Sequence, residues 1–382
     1  MEGAMKNFLA ILTAVLISAP AVADPVTIVS WNIGPGLEEP MLERKGDFLS
    51  LDAELKPDVI VMVEVIGRRG AEIAAQNLGW PDYHVAVSDF AIAKTDVFQG
   101  LEVSVISKIP MVSVTEYDVT PDGNKHDVFG TSGTVAVQEK LLTSSGISNV
   151  EPTGGFDRGT LRVDLSNGLT ILPVHLKSNN NGACSSAVTA RSTLSGMQIT
   201  VPSQLQEAIE KGFPKQVAAD KRNAAERERV MAAVKKVADE AVAEGRTVII
   251  AGDYNTSFEP GKVGADFADC DLQPFECKQA PFKASACTGD GFDDTFAILS
   301  KPLVGSAGFA ILTEGLGRTY EDTVFADAAI DHIAVDAARA AAFRAPALTC
   351  PGSPAGSATA KAVRACGLHG SDHFPIATSY DP

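Results

Sequence analysis

The chain has 382 residues, 45% of them hydrophobic and 21% charged, enough for a globular protein with one large core or two ordinary ones. Its 48 acidic and 32 basic side chains leave a net charge of −16. Such a field repels nucleic acid and anionic membrane unless a cation or a local basic groove intervenes, which argues against a polymeric polyanion as the main substrate.

In chain order, the first element is a leader. Lys6 precedes an apolar run from Phe8 to Ile17, and small residues follow, ending in Ala21-Val22-Ala23. Charged, apolar and A-x-A segments in that order make a secretory signal peptide over residues 1–23. The apolar run is too short for a membrane span, and no other stretch is long enough. The expectation is a periplasmic or secreted protein beginning at Asp24, with no stable membrane insertion.

Short β-branched runs then recur: VTIVSWNIG (26–34), DVIVMVEVIG (58–67), LEVSVIS (101–107), LTILPVHLKS (169–178), RTVIIAGDYN (246–255) and IDHIAV (330–335). Each has the composition of a buried strand, and several end in a polar residue followed by Gly, Ser or Asn. A helix is expected over 220–245, where Val230, Val234, Val237 and Ala241 recur at helical spacing and Gly245 closes the element. Stretches 179–216 and 257–290, rich in Asn, Ser, Gly, Pro and Cys, read as loop insertions. No repeat or low-complexity linker interrupts residues 24–382, which therefore read as one α/β domain. The six cysteines (Cys184, Cys270, Cys277, Cys287, Cys350 and Cys366) all follow the leader. An even number in an oxidising compartment favours disulfides, with the pairing open.

The reactive groups lie at strand ends. Asn32 ends the first run, Glu64 sits in the second, His175 is near the end of the fourth, and Asp253 and Asn255 end the fifth. Asp331 opens the sixth, and GSDHFPI (370–376) carries Asp372 and His373. A carboxylate buried without a partner in an apolar strand costs several kcal/mol. Alone, each residue has a bland account: a turn, a salt-bridged edge, a satisfied core histidine, a helix cap, a surface loop. Together they require a coincidence at every strand end.

In order and spacing, SWNIG, MVEV, HLKS, GDYN, IDHIAV and GSDHFPI resemble the endonuclease/exonuclease/phosphatase family, with RGTLRV (158–163) and RTY (318–320) as weaker companions. That family includes pancreatic deoxyribonuclease, bacterial sphingomyelinases and inositol-polyphosphate phosphatases. The resemblance spans nearly all of the chain after the leader. It implies a four-layer α/β sandwich, two packed, mostly antiparallel or mixed β-sheets flanked by helices. The active site is then expected at one edge of the sandwich, where the strand ends converge.

Hydrolysing a phosphate ester requires an activated water, neutralised phosphoryl oxygens and a stabilised leaving group. The resemblance implies Glu64 as the principal ligand of a divalent cation, with Asn32 and Asp372 beside it. Mg²⁺ or Ca²⁺ is expected, with Mn²⁺ as the alternative. Asp253 would orient or deprotonate the water, and Asn255 would hold the water or the phosphate. His175 and His373 would donate to phosphate oxygens or the leaving group, with Asp331 fixing the tautomer of His373. Arg158 would clamp the phosphate with its planar fork.

Two positions depart from the family pattern. Val63 stands where many relatives carry Gln, and Glu102 takes the place of phosphate-contacting aromatic or amide residues. A carboxylate at 102 would repel a polynucleotide backbone or hold a second cation. His84, His126 and His332 read as structural, and GDGFDD (289–294) lacks the spaced ligands of an EF-hand. The expected function is an exported, metal-dependent phosphoesterase for small phosphomonoesters or phosphodiesters. A secreted nuclease is the alternative, although the net charge disfavours nucleic acid. An inactive relative used as a binding module is disfavoured by the intact residue set. Oligomeric state stays open.

Overall fold

The computed structural model describes residues 24–36, 42–65, 67–88, 102–118, 129–130, 137–143, 146–147, 160–178, 214–256, 295–316, 319, 329–348, 371 and 373–382. The expected leader, all six cysteines, Arg158, Asp372, His126 and most of both expected insertions lie outside these residues.

Among the described residues two sheets form the centre of the molecule. One has seven strands: β1 (Val26–Gly36), β2 (Val59–Val65), β3 (His84–Val87), β4 (Glu102–Ser107), β6 (Phe129–Gly130), β14 (Ala347–Leu348) and β15 (Ile376–Tyr380). Its spatial order is β14-β15-β1-β2-β4-β3-β6. The other has eight: β5 (Met111–Asp118), β7 (Val137–Thr143), β8 (Gly146–Ile147), β9 (Thr160–Leu165), β10 (Leu169–His175), β11 (Thr247–Asp253), β12 (Phe309–Ile311) and β13 (Asp331–Asp336). Here the order is β12-β13-β11-β10-β9-β5-β7-β8. Among the described residues four α-helices flank the sheets: α1 (Lys45–Leu55), α2 (Gly67–Asn77), α3 (Pro214–Ala243) and α4 (Thr295–Ser300).

Side-chain alternation sorts the core into three layers. Between the sheets, Ile28, Val61, Val103, Ile171, Ile249, Ile333 and Ile376 belong to one buried cluster. On the far side of the seven-stranded sheet, Trp31, Ile60 and Met62 pack with Phe48 and Leu51 of α1 and Ala74 of α2. On the far side of the eight-stranded sheet, Leu172, Val174 and Ile250 pack against α3 and α4. The four-layer α/β sandwich expected from the sequence is therefore the observed fold, and both sheets are mixed.

The expected helix face is buried as its spacing implies: Val230, Val234, Val237 and Ala241 all join the α3 cluster. Each buried valine there contributes about 2 kcal/mol of transfer free energy. The helix starts earlier than expected, at Pro214, a residue whose fixed φ and missing N–H suit a first helical turn. Among the described residues no helix is long and apolar enough to cross a membrane.

Candidate active site

Four strands bring a polar residue to the same end of the inter-sheet core by continuing an inward-facing register. On β10, Leu169 and Ile171 point inward, and His175 follows in the same alternation. On β11, Ile249 and Ala251 lead to Asp253, and on β13 Val335 and Ile333 lead back to Asp331. On β1, Val26 and Ile28 lead through Ser30 to Asn32. Pairing fixes their neighbours. His175 lies opposite Asp253 in the parallel β10–β11 ladder, and Asp253 lies opposite Asp331 in the antiparallel β11–β13 ladder.

Glu64 reaches the site by breaking that rule. Val59, Val61 and Val63 face the inter-sheet core, yet Val65 faces the helix layer. A register shift between Val63 and Val65 absorbs the difference, and Glu64 sits there with φ at 65°. A β-bulge re-aims one side chain, and here it swings a carboxylate out of an apolar strand. The left-handed conformation at a glutamate is strained, so the surrounding contacts must hold it.

Asn32 is one of those contacts. Its Oδ1 accepts the Gly34 N–H at 3.0 Å, which turns the amide nitrogen toward the cluster. Asn32 Nδ2 donates to Glu64 Oε1 at 3.0 Å and to Asp253 Oδ2 at 3.3 Å, and lies 3.3 Å from His373 Nε2. His373 Nδ1 lies 2.7 Å from Asp331 Oδ2. A donor amide at Nε2 and a carboxylate at Nδ1 are together satisfied by the neutral Nδ1–H tautomer. His175 Nε2 is 3.8 Å from both Glu64 Oε1 and Asp253 Oδ2.

The exits of β10 and β11 are tied together. Asp253 Oδ1 accepts the Asn255 N–H at 2.8 Å, an Asx turn, and Asn255 takes φ of 51°, which Asn tolerates. Asn255 Nδ2 donates to the Leu176 carbonyl at 3.0 Å, and Leu176 N–H donates to the Asp253 carbonyl at 2.9 Å.

The electrostatics are one-sided. Among the described residues no Lys or Arg pairs with Glu64, Asp253 or Asp331. Burial, with the Asp331 carboxylate beside it, pushes the Asp253 carboxyl well above the usual range, while His373 and the Asn255 N–H act the other way. Asp331 Oδ1 is buried and has no hydrogen-bond partner among the described residues. Glu64 is the solvent-facing member, its side chain 28% exposed against 3% for Asp253. One donor atom each from Glu64, His175 and Asp253 lie within 4.8 Å of one another, and so do those of Asp253, Asp331 and His373. Hard oxygen donors with excess negative charge and one solvent-facing carboxylate suit a divalent cation.

No protein-family model matches the chain, and no curated protein matches it. Solved structures do. An AP endonuclease of Archaeoglobus fulgidus superposes with a TM-score of 0.50 at 14% identity, over 94% of this chain and 100% of that one. The chain has the endonuclease/exonuclease/phosphatase fold. The 3′ phosphatase NExo of Neisseria gives 0.47 at 14% identity over 94% and 100% of the two chains. An endonuclease/exonuclease/phosphatase protein of Beutenbergia cavernae gives 0.46 at 14% over 93% and 71%.

On this endonuclease/exonuclease/phosphatase fold, Asn32, Glu64, His175, Asp253, Asn255, Asp331 and His373 meet at one end of the sandwich, as the resemblance implies. Asn32, expected among the metal ligands, presents its N–H face to the carboxylates. Glu102, expected to repel a polynucleotide backbone or hold a second cation, is buried opposite Val65 beside the bulge. His332 faces away from the site, edge-on to Tyr254 and Phe296, with Nδ1 at Thr313 Oγ1 and Nε2 at the Thr256 carbonyl.

Two supporting residues went unread in the sequence. Trp31 Nε1 donates to the His373 carbonyl at 3.2 Å. Ser371 Oγ donates to the Asn32 carbonyl at 2.7 Å and accepts the His373 N–H at 3.1 Å. Both stand inside quoted motifs, SWNIG and GSDHFPI. Their position next to reactive residues was the available signal.

Proposed function

We propose that this protein is an exported, divalent-cation-dependent phosphoesterase acting on small phosphomonoesters or phosphodiesters. The observation that carries the reading is the convergence of Glu64, Asp253 and Asp331 around Asn32 and two imidazoles, with no basic partner among the described residues. Structural ion-pair networks balance their charges, and among the described residues this cluster does not. The leader over residues 1–23 supports export, and the net charge of −16 supports a small substrate.

Glu64, with Asp253 and His175 at hand, would hold the cation, which when bound neutralises charge on the phosphoryl oxygens. Asp253, beside that cation, would orient the attacking water and accept its proton. Asn255 keeps Asp253 oriented through its N–H. Asp331 holds His373 by Nδ1–H, leaving Nε2 to take up a proton and then, as imidazolium, to donate to a phosphoryl oxygen or to the leaving oxygen. The ester P–O bond breaks as the water oxygen joins phosphorus, and the leaving alcohol departs with the proton carried by His373 Nε2.

A substrate panel tests the reading: a chromogenic phosphomonoester, a chromogenic phosphodiester and plasmid DNA, each with Mg²⁺, Ca²⁺, Mn²⁺ or EDTA. Turnover of a small ester that EDTA abolishes and added cation restores is the expected result. Full turnover in excess EDTA, or cleavage of DNA alone, overturns it.

A further inference from the structure

Thr319 belongs to neither sheet, yet it is bonded to the ends of two strands that supply the site. Its Oγ1 accepts the Ile330 N–H at 2.9 Å and the Asp331 N–H at 2.8 Å, at the start of β13 in the eight-stranded sheet. Its carbonyl accepts the Phe374 N–H at 2.8 Å, one residue past His373 and just before β15 in the seven-stranded sheet. The residue is fully buried. Asp331 and His373, the groups it flanks, make the 2.7 Å contact between the sheets.

We infer that Thr319 is a positioning residue that sets the Asp331–His373 contact by tying both strand ends to one point. This inference rests on the phosphoesterase reading of the site. A hydroxyl has two lone pairs, and Thr319 Oγ1 uses them on consecutive N–H groups, which fixes both the position and the rotation of the peptide leading into Asp331. The carbonyl acts on the other partner, so one residue removes freedom from each side of the carboxylate–imidazole pair. No basic side chain among the described residues does this for Asp331. All three of these bonds are to backbone N–H groups, those of Ile330, Asp331 and Phe374.

Three variants test it: Thr319→Val, which keeps the shape and removes the acceptor, Thr319→Ser, which keeps the acceptor, and Thr319→Ala. Two readouts are taken: kcat and KM on the chromogenic ester, and the low-field proton signal of His373 Nδ1–H in ¹⁵N-histidine-labelled protein. The valine variant should lose about tenfold in kcat with KM changed less than about twofold, and its Nδ1–H signal should shift or broaden. The serine variant should match the parent in both. A valine variant with parental kcat and signal overturns the inference, as does a serine variant that loses as much as valine. Should valine not fold, Thr319→Ala is read against the same outcomes. If the parent turns over no phosphate ester, the functional reading fails, while the proton signal still decides whether Thr319 sets the contact.

Discussion

Gly252 runs so close to Val174 that a Cβ at 252 would lie 2.0 Å from the Val174 carbonyl oxygen, and its φ of 141° is one that L side chains rarely adopt. The two residues are register partners in the β10–β11 ladder, one step before His175 and Asp253. The glycine of GDYN is therefore the reason the two reactive side chains sit side by side. Gly252→Ala should cost about 3 kcal/mol or more and displace Asp253. Chemical denaturation paired with kcat checks this, and an alanine variant of parental stability and activity refutes it.

Asn32 donates to two carboxylates at once. Asn32→Ala leaves Glu64 in its strained conformation without that donor, and apparent cation affinity should weaken by about tenfold. Asn32→Asp sets a third carboxylate against Glu64 and Asp253, so the cation-free protein should melt lower and gain more in Tm from added Mg²⁺ than the parent. Calorimetric titration and melting with and without Mg²⁺ give both numbers. Equal Mg²⁺ responses in all three proteins would remove Asn32 from the cation site.

For the Asp331–His373 pair, His373→Ala should lower kcat by roughly a hundredfold. Asp331→Asn should lose less, and the double variant should be less than additive because the two act as a unit. Steady-state kinetics on all four proteins decide the matter; strictly additive losses would mean that the pair is not coupled.

Burial lowers His332 from the usual 6.5 to about 4, against the opposing pull of its hydrogen bond to Thr256 and of Asp331. The folded protein keeps this imidazole neutral while the unfolded chain protonates near 6.5. Its contribution is complete above pH 6.5 and is lost as pH falls from 6.5 to about 4, on the order of 3 kcal/mol in all. Urea unfolding of parent and His332→Gln at several pH values should show a flatter acid limb in the variant. Parallel limbs would contradict the assignment.

Much of this was legible in the sequence, for a physical reason. Strands buried on both faces are nearly continuous β-branched runs, so a single Asn, His or Asp at the tip of such a run stands out, as in SWNIG, HLKS and GDYN. The expected bounds of the strand now seen as β11 differ from the observed ones by only a residue or two. β5 and β9 were not read as strands, because polar residues interrupt MVSVTEYD and TLRVDL; Glu116 and Asp164 are nonetheless buried there. The bulge at Glu64 left no trace either, since φ at 65° on a glutamate answers to tertiary contacts and not to propensity. Thr319 and Trp31 work through backbone groups far away in the chain, which residue type alone does not reveal.

β1 lies between β2 and β15, and Asn32 Nδ2 is 3.3 Å from His373 Nε2 although 341 residues separate them in sequence. At about 5–20 residues per second, a ribosome needs tens of seconds to go from one to the other. Throughout that interval β1 has an open edge where β15 will pair, and Asn32, which can meet Glu64 early and Asp253 only later, lacks the His373 imidazole. Native folding of the seven-stranded sheet must therefore wait until Ile376–Tyr380 has been made, and a chain cut short before residue 371 would carry Asn32, Glu64, His175, Asp253 and Asp331 without His373.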